Sequence, residues 1–244
     1  ANAAKQSRIH PKPNVWQWRQ VNDFINFANK NNLIVRLHGP ISPQASKWAK
    51  EDYRTAEELD KNMVEFATAF AKRFNNEKSV KWMDVVNETI LSNGNWFGPK
   101  PGNNKWENPW LKIGLDENGY PKYILKAFEI ANKNAPNIKL VYNQNGGMQD
   151  VMWNKLKKTV QYIRSKGLRI DAIGWQAHIL LSKTTEKFVT DTDNQIKKLS
   201  NLIDWAHAND LEFHVTELDY FIEDESKLNE GYEKQAEVYQ KIID

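Results

Sequence analysis

The sequence contains no cysteine, which excludes disulfide bonds, thiolate metal sites and cysteine nucleophiles. It has no apolar run approaching the roughly 18 residues that a membrane-spanning helix needs. No glycine-rich phosphate loop follows any strand-like run, which argues against a nucleotide-binding protein. An HExxH motif and a carboxylate cluster with calcium-loop spacing are also missing. We therefore expect no metal ion and no cofactor. The missing apolar run leads us to expect no membrane partner.

The charge of the chain is nearly balanced, with 34 Lys and Arg against 31 Asp and Glu. The basic residues are spread along the chain, so we expect no nucleic-acid partner. We find no internal repeat and no linker, which predicts one domain over residues 1–244. The first ten residues do not follow the pattern of a secretion signal.

Apolar runs typical of β-strands alternate with amphipathic helical stretches. Strands are predicted over residues 33–38, 80–88, 138–143, 170–178 and 212–220, and we count about six strands in all. The main helices are predicted over residues 56–74, 120–134, 149–166, 192–209 and 231–243. This alternation predicts an α/β fold with a parallel sheet covered by helices, either an open doubly wound sheet or a barrel of the (β/α)8 type.

Polar residues stand at the ends of these apolar strands. They are His38, Asn87, Glu88, Asn143, Gln144, Gln176, His178, Thr216, Glu217 and Asp219. A strand buried on both faces should not carry such groups unless they are paired or used. In a (β/α)8 barrel, the carboxyl ends of the strands are where catalytic groups converge.

Two carboxylates, Glu88 and Glu217, stand at the tips of two different strands. A pair of carboxylates suits glycoside hydrolysis, in which one group protonates the leaving oxygen and the other attacks or activates water. For either residue alone, a solvated strand end or a salt bridge is an alternative. The chain also has ten Trp, ten Phe and eight Tyr, whose rings can pack in the core or stack against sugar rings.

Several segments together resemble glycoside hydrolase family 10, whose best-known members are endo-β-1,4-xylanases. The segment WMDVVNETI resembles the acid/base strand WDVVNE, with one residue inserted after Trp82. GWQAHI resembles the G-x-Q-x-H strand, HVTELDY the nucleophile strand TELD, and NAAKQ the N-x-x-K segment that contacts sugar. The similarity covers most of the chain and implies a (β/α)8 barrel.

The resemblance implies an enzyme that hydrolyses internal β-1,4 bonds of xylan or a related polysaccharide with retention of configuration. Glu88 would be the general acid and then the general base, and Glu217 the nucleophile. His178 would hydrogen-bond Glu217 and keep it ionised. The expected substrate-binding residues are Asn2, Lys5, His38, Gln44, Trp48, Asn87, Gln176 and His178, although His38 could instead serve in the core or behind the site.

The chain departs from the family in two places. Segment 38–48 reads HGPISPQASKW and lacks the histidine that touches the reactive sugar, a role in which Gln44 and Trp48 are expected to share. Another β-glycan, such as a glucan or galactan, and a non-catalytic carbohydrate-binding barrel therefore remain alternatives. The match also begins at the family's second strand and stops after its seventh helix, which predicts an incomplete barrel, either the retained part of a longer chain or a barrel completed in an unusual way.

The loop predicted over residues 92–110 follows Glu88 directly and carries Trp96, Phe97, Trp106 and Trp110 as candidate sugar-stacking platforms. The alternative is that Trp106 and Trp110 pack beneath the loop. The expected partner is a polysaccharide or oligosaccharide. We expect a monomer that is secreted or located at the cell surface or in the periplasm, because a polymeric substrate cannot cross a membrane.

Overall fold

The computed structural model describes residues 2–102, 106–180, 185–222 and 228–244. The strands are β1 (Val35–Leu37), β2 (Val80–Asn87), β3 (Lys139–Gln144), β4 (Ala172–Ile179) and β5 (Glu212–Tyr220). The α-helices are α1 (Gln6–Ile9), α2 (Arg19–Lys30), α3 (Ala56–Phe74), α4 (Lys122–Asn134), α5 (Asp150–Ser165), α6 (Lys187–Thr190), α7 (Thr192–Ala208) and α8 (Leu228–Ile243). Hydrogen-bonded strands follow the order β1-β2-β3-β4-β5, which is also their order along the chain.

The described residues form five strands, one fewer than the six or so counted from sequence. All five fall on the predicted runs, and the N-terminal segment forms short helices, Asn2–Ala4 and α1. Strand β1 is also shorter than predicted. Leu33 and Ile34 are 46% and 67% exposed, so these two apolar residues precede the strand instead of joining it.

The chain divides into two compact units, and β3 and α5 contribute residues to both. Unit 1 comprises Ala1–Thr89, Trp96–Tyr142 and Lys158–Asp171; unit 2 comprises Ile90–Asn95, Asn143–Lys157 and Ala172–Asp244. In the described part of the chain, no helix is long and apolar enough to cross a membrane. The expectation of a single domain stays a prediction.

Helix α3 of unit 1 begins and packs as its sequence predicts. Thr55 and Glu58 form a reciprocal capping box, in which each side chain accepts a hydrogen bond from the other residue's backbone N–H. Four-residue spacing puts Phe66, Phe70 and Phe74 on one buried face, with successive ring centroids 5.4 and 5.0 Å apart. A β-carbon at Gly39 would lie 2.4 Å from the Phe70 ring, so the chain leaving β1 needs glycine there.

Strands β1 and β2 of unit 1 pair in parallel and carry the polar residues of this unit's candidate site. Beyond β1, the chain keeps contact with β2 through the backbone of Ile41, which accepts from Asn87 and donates to Val85. The end of β2 is fully buried, so every polar group on it must find a partner within the protein.

Unit 2 is built on the parallel pair β4 and β5. Trp175 of β4 is fully buried, stacks on Phe188 of α6 at a centroid distance of 5.0 Å, and donates its indole N–H to the Gly146 carbonyl at 2.7 Å. Trp153 of α5 likewise donates to Gly147 at 2.9 Å. Both indoles therefore bury their apolar rings without leaving the N–H unpaired, which is the usual condition for burying tryptophan.

The capping box of α3 gives a stability prediction. Replacing Thr55 by Ala removes the side-chain acceptor at the first turn, and we expect the free energy of unfolding to fall by about 1 kcal/mol. The matched control is Thr55→Ser, which keeps the hydroxyl. Urea denaturation followed by circular dichroism measures the difference, and equal transition midpoints for the Ala and Ser variants would contradict the assignment.

Candidate active site

Glu88 lies immediately after β2 in unit 1, where the buried strand leaves the sheet. Its side chain is 4% exposed, and Asn87, which is fully buried, donates its Nδ2 to Glu88 Oε1 at 3.0 Å. The backbone of Glu88 is left-handed, with φ of 53°. A non-glycine residue in this region costs on the order of 1–3 kcal/mol, and such strain clusters at functional sites. Glu88 is thus held in a fixed orientation by its neighbour and by the backbone.

A lysine that the sequence did not reveal lies near Glu88. Burial lowers the pKa of Lys50, while the negative charges of Glu107 and Glu88 act in the opposite direction. Glu107 is only 2% exposed, and the Lys50 ammonium lies 5.5 Å from the ring centroid of Trp106. Lys50 therefore brings a half-buried positive charge into the surroundings of Glu88.

His38 is buried and bound to a carboxylate inside strand β2. Its Nδ1 lies 2.6 Å from Asp84 Oδ2, and Arg36 donates to Asp84 Oδ1 at 3.0 Å. Asp84 is 1% exposed, so both of its oxygens are satisfied by cationic or N–H donors from β1 and the residue that follows it. These contacts fit the alternative that His38 serves behind the site, while its predicted contact with substrate stays a prediction.

The remaining predicted residues of unit 1 lie at or near its surface. Asn2 is exposed in a 3-10 helix, and Lys5 is half-buried directly before α1. Trp48 is half-buried and carries the Arg54 guanidinium 4.3 Å from its ring centroid. The buried Oε1 of Gln44 has no hydrogen-bond partner in the described ranges, which is consistent with a site for a ligand donor.

The predicted residues of unit 2 come together through the register of β4 and β5. Gln176 is the Cα partner of Glu217, and His178 is the partner of Asp219. Side chains two apart on a strand share a face, so Gln176, His178, Glu217 and Asp219 all project to the same side. The sequence predicted that these four residues lie at strand ends. The register of β4 against β5 brings them together on one face.

His178 lies between two carboxylates. Its Nε2 is 3.3 Å from Glu217 Oε2, and its Nδ1 is 2.8 Å from Asp219 Oδ2. The hydrogen bond to Glu217 and the adjacent charge of Asp219 outweigh partial burial and raise the pKa of His178 to about 9. At neutral pH the imidazole is therefore a cation that donates one N–H to each carboxylate. A positive charge beside Glu217 stabilises its ionised form.

The aromatic residues of the 92–110 loop divide between packing and exposure, and residues 103–105 of that loop lie outside the described ranges. Trp110 is fully buried and donates its indole N–H to the Ser42 carbonyl at 3.0 Å, so it packs beneath the loop and is not a stacking platform. Phe97 is also buried, at 5% exposure. Trp106 is 47% exposed and Trp96 is half-buried, so packing beneath the loop is wrong for Trp106 and both rings stay candidate platforms.

Sequence reasoning did not single out Asp84, Lys50 or Glu107. A signal for Asp84 was present, because a charged residue inside the apolar run VKWMDVVN needs a buried partner. Lys50 and Glu107 gave no such signal, since both lie outside the predicted strands and helices and their approach to Glu88 depends on the fold. The described residues include no cluster of three or more His, Asp or Glu that could hold a metal ion.

Comparison with known proteins assigns the chain to a family. The family model described as "Glycosyl hydrolase family 10" matches residues 1–244, the whole of the chain. The chain belongs to glycosyl hydrolase family 10. Its α/β fold is therefore the (β/α)8 barrel type that the sequence predicted, with five of the strands present in the described residues.

Family 10 relatives carry the name xylanase. An "Endo-1,4-beta-xylanase A" from Xylanibacter ruminicola is 31% identical over 72% of this chain and 45% of its own length. A "Beta-1,4-xylanase" from Dictyoglomus thermophilum is 29% identical over all of this chain and 64% of its own. This chain thus spans about half to two thirds of these two relatives.

A solved structure supports the fold independently. Xylanase B from Clostridium stercorarium F9 superposes with a TM-score of 0.75 over 99% of this chain and 72% of that one, at 23% identity. At this identity, the likeness is evidence for the fold alone.

The charge on His178 gives a pH prediction. Its folded pKa of about 9 lies above the ordinary 6.5, so the folded protein binds this proton more tightly than the unfolded chain. The resulting stabilisation is fully present below pH 6.5 and is lost as the pH rises through 9. We expect His178→Gln to remove this dependence.

Urea denaturation at a series of pH values measures the effect, and a histidine NMR titration identifies the group. The matched control is His207→Gln on the exposed face of α7. It should leave the pH dependence of the free energy of unfolding and the NMR titration of His178 unchanged. An imidazole that titrates normally at position 178 would contradict the described contacts.

Proposed function

We propose that the protein is a retaining glycoside hydrolase that cleaves internal β-1,4-xylosidic bonds of xylan or a related polysaccharide. Glu88 acts as the general acid and base, and Glu217 acts as the nucleophile. The proposal rests on the two different environments of these carboxyl groups. Glu217 contacts the protonated His178 at 3.3 Å, whereas Glu88 is 4% exposed at the tip of β2.

Those environments suit the two roles. A nucleophile must be ionised, and a cationic imidazole in contact with it stabilises the carboxylate. An acid catalyst must hold a proton near neutral pH, and burial disfavours the charged form of a carboxyl group. The positive charge of Lys50 instead favours the ionised form of Glu88, and the negative charge of Glu107 offsets part of that positive charge.

The reaction proceeds in two displacements. In the first, a Glu217 oxygen forms a bond to the anomeric carbon while the glycosidic C–O bond breaks, and Glu88 gives its proton to the leaving oxygen. In the second, Glu88 takes a proton from water, the water oxygen bonds to the anomeric carbon, and Glu217 leaves as a carboxylate. In this mechanism Asn87, beside Glu88, hydrogen-bonds the sugar.

The choice of xylan is supported by family membership and by the names of the relatives. Segment 38–48 favours a second candidate, another β-glycan, because the family's sugar-contacting histidine is missing there and His38 is bound to Asp84. Turnover on a panel of xylan, mixed-linkage glucan and galactan separates the two. Binding without turnover on every member would favour a non-catalytic carbohydrate-binding protein.

The proposal includes the setting of the reaction. A polysaccharide cannot cross a membrane, so we propose that the protein is exported, and that it acts as a monomer on its substrate without nucleic acid. Cell fractionation and light scattering test these two points separately.

Retention is the first test. We expect NMR of the first product from a β-linked oligosaccharide to contain the β-anomer before mutarotation, because two inversions restore the starting configuration. An α-anomer formed first would overturn the mechanism.

Glu88→Gln should lower kcat by about 10²–10⁴-fold, the usual contribution of acid–base catalysis. Glu217→Gln should abolish turnover. Glu129→Gln, the same change on the exposed face of α4, should have no effect.

Anion rescue distinguishes the two roles. With an aryl glycoside whose leaving group needs no protonation, Glu88→Ala should give a β-glycosyl azide, because azide replaces water in the second displacement. Glu217→Ala should give the α-azide, because azide occupies the place of the nucleophile and inverts the centre once. Exchange of the two products between the variants would reverse the assignment, and is read directly by NMR of the azides.

A further inference from the structure

Strand β5 contains a β-bulge directly before Glu217. Trp175 pairs with Val215, but the next residue of β4, Gln176, pairs with Glu217. Thr216 is therefore the extra residue of β5, without a Cα partner on β4. Bulges of this kind occur beside active sites, where they redirect the side chains that follow.

The bulge decides which face Glu217 occupies. Without it, Glu217 would pair with Ala177, and Leu218 would pair with His178. Because side chains alternate between faces, a shift of one residue would carry Glu217 to the face opposite His178. The contact of 3.3 Å between His178 and Glu217 thus depends on the extra residue.

Two neighbouring strands hold that extra residue in place. The Thr216 hydroxyl lies 2.9 Å from Asn143 Oδ1 and 3.0 Å from the Trp175 carbonyl, so one O–H is shared between two acceptors. Asn143 is fully buried on β3. A β-carbon at Gly174 would lie 2.3 Å from Asn143 Oδ1 and 2.7 Å from Thr216 Cγ2, so only glycine leaves room for the pair.

We propose that Asn143, Gly174 and Thr216, which we term the bulge clamp, are positioning residues that hold Glu217 against His178. The inference deepens the proposed function and rests on Glu217 as its nucleophile. None of the three residues needs to touch the sugar. They act through the backbone of β5, by making the bulged register more stable than the regular one.

The valine variant of Thr216 tests the clamp with little change in shape. Thr216→Val removes the hydroxyl that donates to Asn143 Oδ1 and the Trp175 carbonyl, whereas Thr216→Ser keeps it. The matched control is Thr192→Val, which removes a buried hydroxyl of unit 2 that lies 2.9 Å from the Phe188 carbonyl. A merely structural role would make the two valine variants alike.

The main readout is the NMR titration of His178, which requires no enzymatic activity. The charged partners of its ring are Glu217 and Asp219, and Tyr239 of α8 lies within electrostatic reach of Asp219. We expect the His178 pKa to fall from about 9 toward 6.5 in Thr216→Val and to stay near 9 in Thr216→Ser and Thr192→Val.

The second readout is turnover of an activated aryl glycoside. We expect kcat to fall about a hundredfold in Thr216→Val with KM nearly unchanged, since a displacement of about 1 Å at a reacting group has an effect of this size. Thr216→Ser should retain kcat. Asn143→Leu should change both readouts in the same direction and by less, because the Trp175 carbonyl still accepts from Thr216.

The outcomes separate the clamp from the proposed function. An unaltered His178 titration and an unaltered kcat in Thr216→Val, alongside an inactive Glu217→Gln, would overturn the clamp and leave the function intact. If wild type hydrolyses no glycan, the titration still tests the clamp. If Thr216→Val does not fold, Asn143→Leu decides the same question, and normal titration there overturns the proposal.

Discussion

A polar group buried at the end of a parallel strand must find a hydrogen-bond partner, and this constraint arranges the side chains of both units. Asp84 is hydrogen-bonded to Arg36 and His38, and Asn87 donates a hydrogen bond to Glu88. In unit 2 the same requirement joins Thr216 to Asn143. Each of these hydrogen bonds fixes the orientation of a polar side chain, so the position of that side chain is set by its hydrogen-bond partner.

Electrostatics then gives the two key carboxyl groups different characters. His178 is shared by Glu217 and Asp219, so a full positive charge stands beside Glu217 at neutral pH. Glu88 instead is buried, and the nearby ammonium of Lys50 is itself opposed by Glu107. The two carboxyl groups thus have different environments, as the proposed acid–base and nucleophilic roles require.

Much of the secondary structure could be read from the sequence, since it depends on local patterns. The period of apolar residues predicted the observed limits of α3, residues 56 and 74. The start of β1 could not be read this way, because Leu33 and Ile34 are as apolar as strand residues but remain exposed. Whether an apolar residue joins a sheet depends on the strand beside it.

The sequence by itself determined the alternation of strands and helices, the polar residues at strand ends and the family. The resemblance predicted the contact of His178 with Glu217. The second partner of His178, Asp219, was found only in the tertiary structure, and so was the extra residue, Thr216, that shifts the register of β5. The approach of Lys50 to Glu88 was likewise beyond the sequence, since 38 positions separate them along the chain. Local patterns indicate helices and strands, whereas charge–charge contacts and register arise between segments distant in sequence.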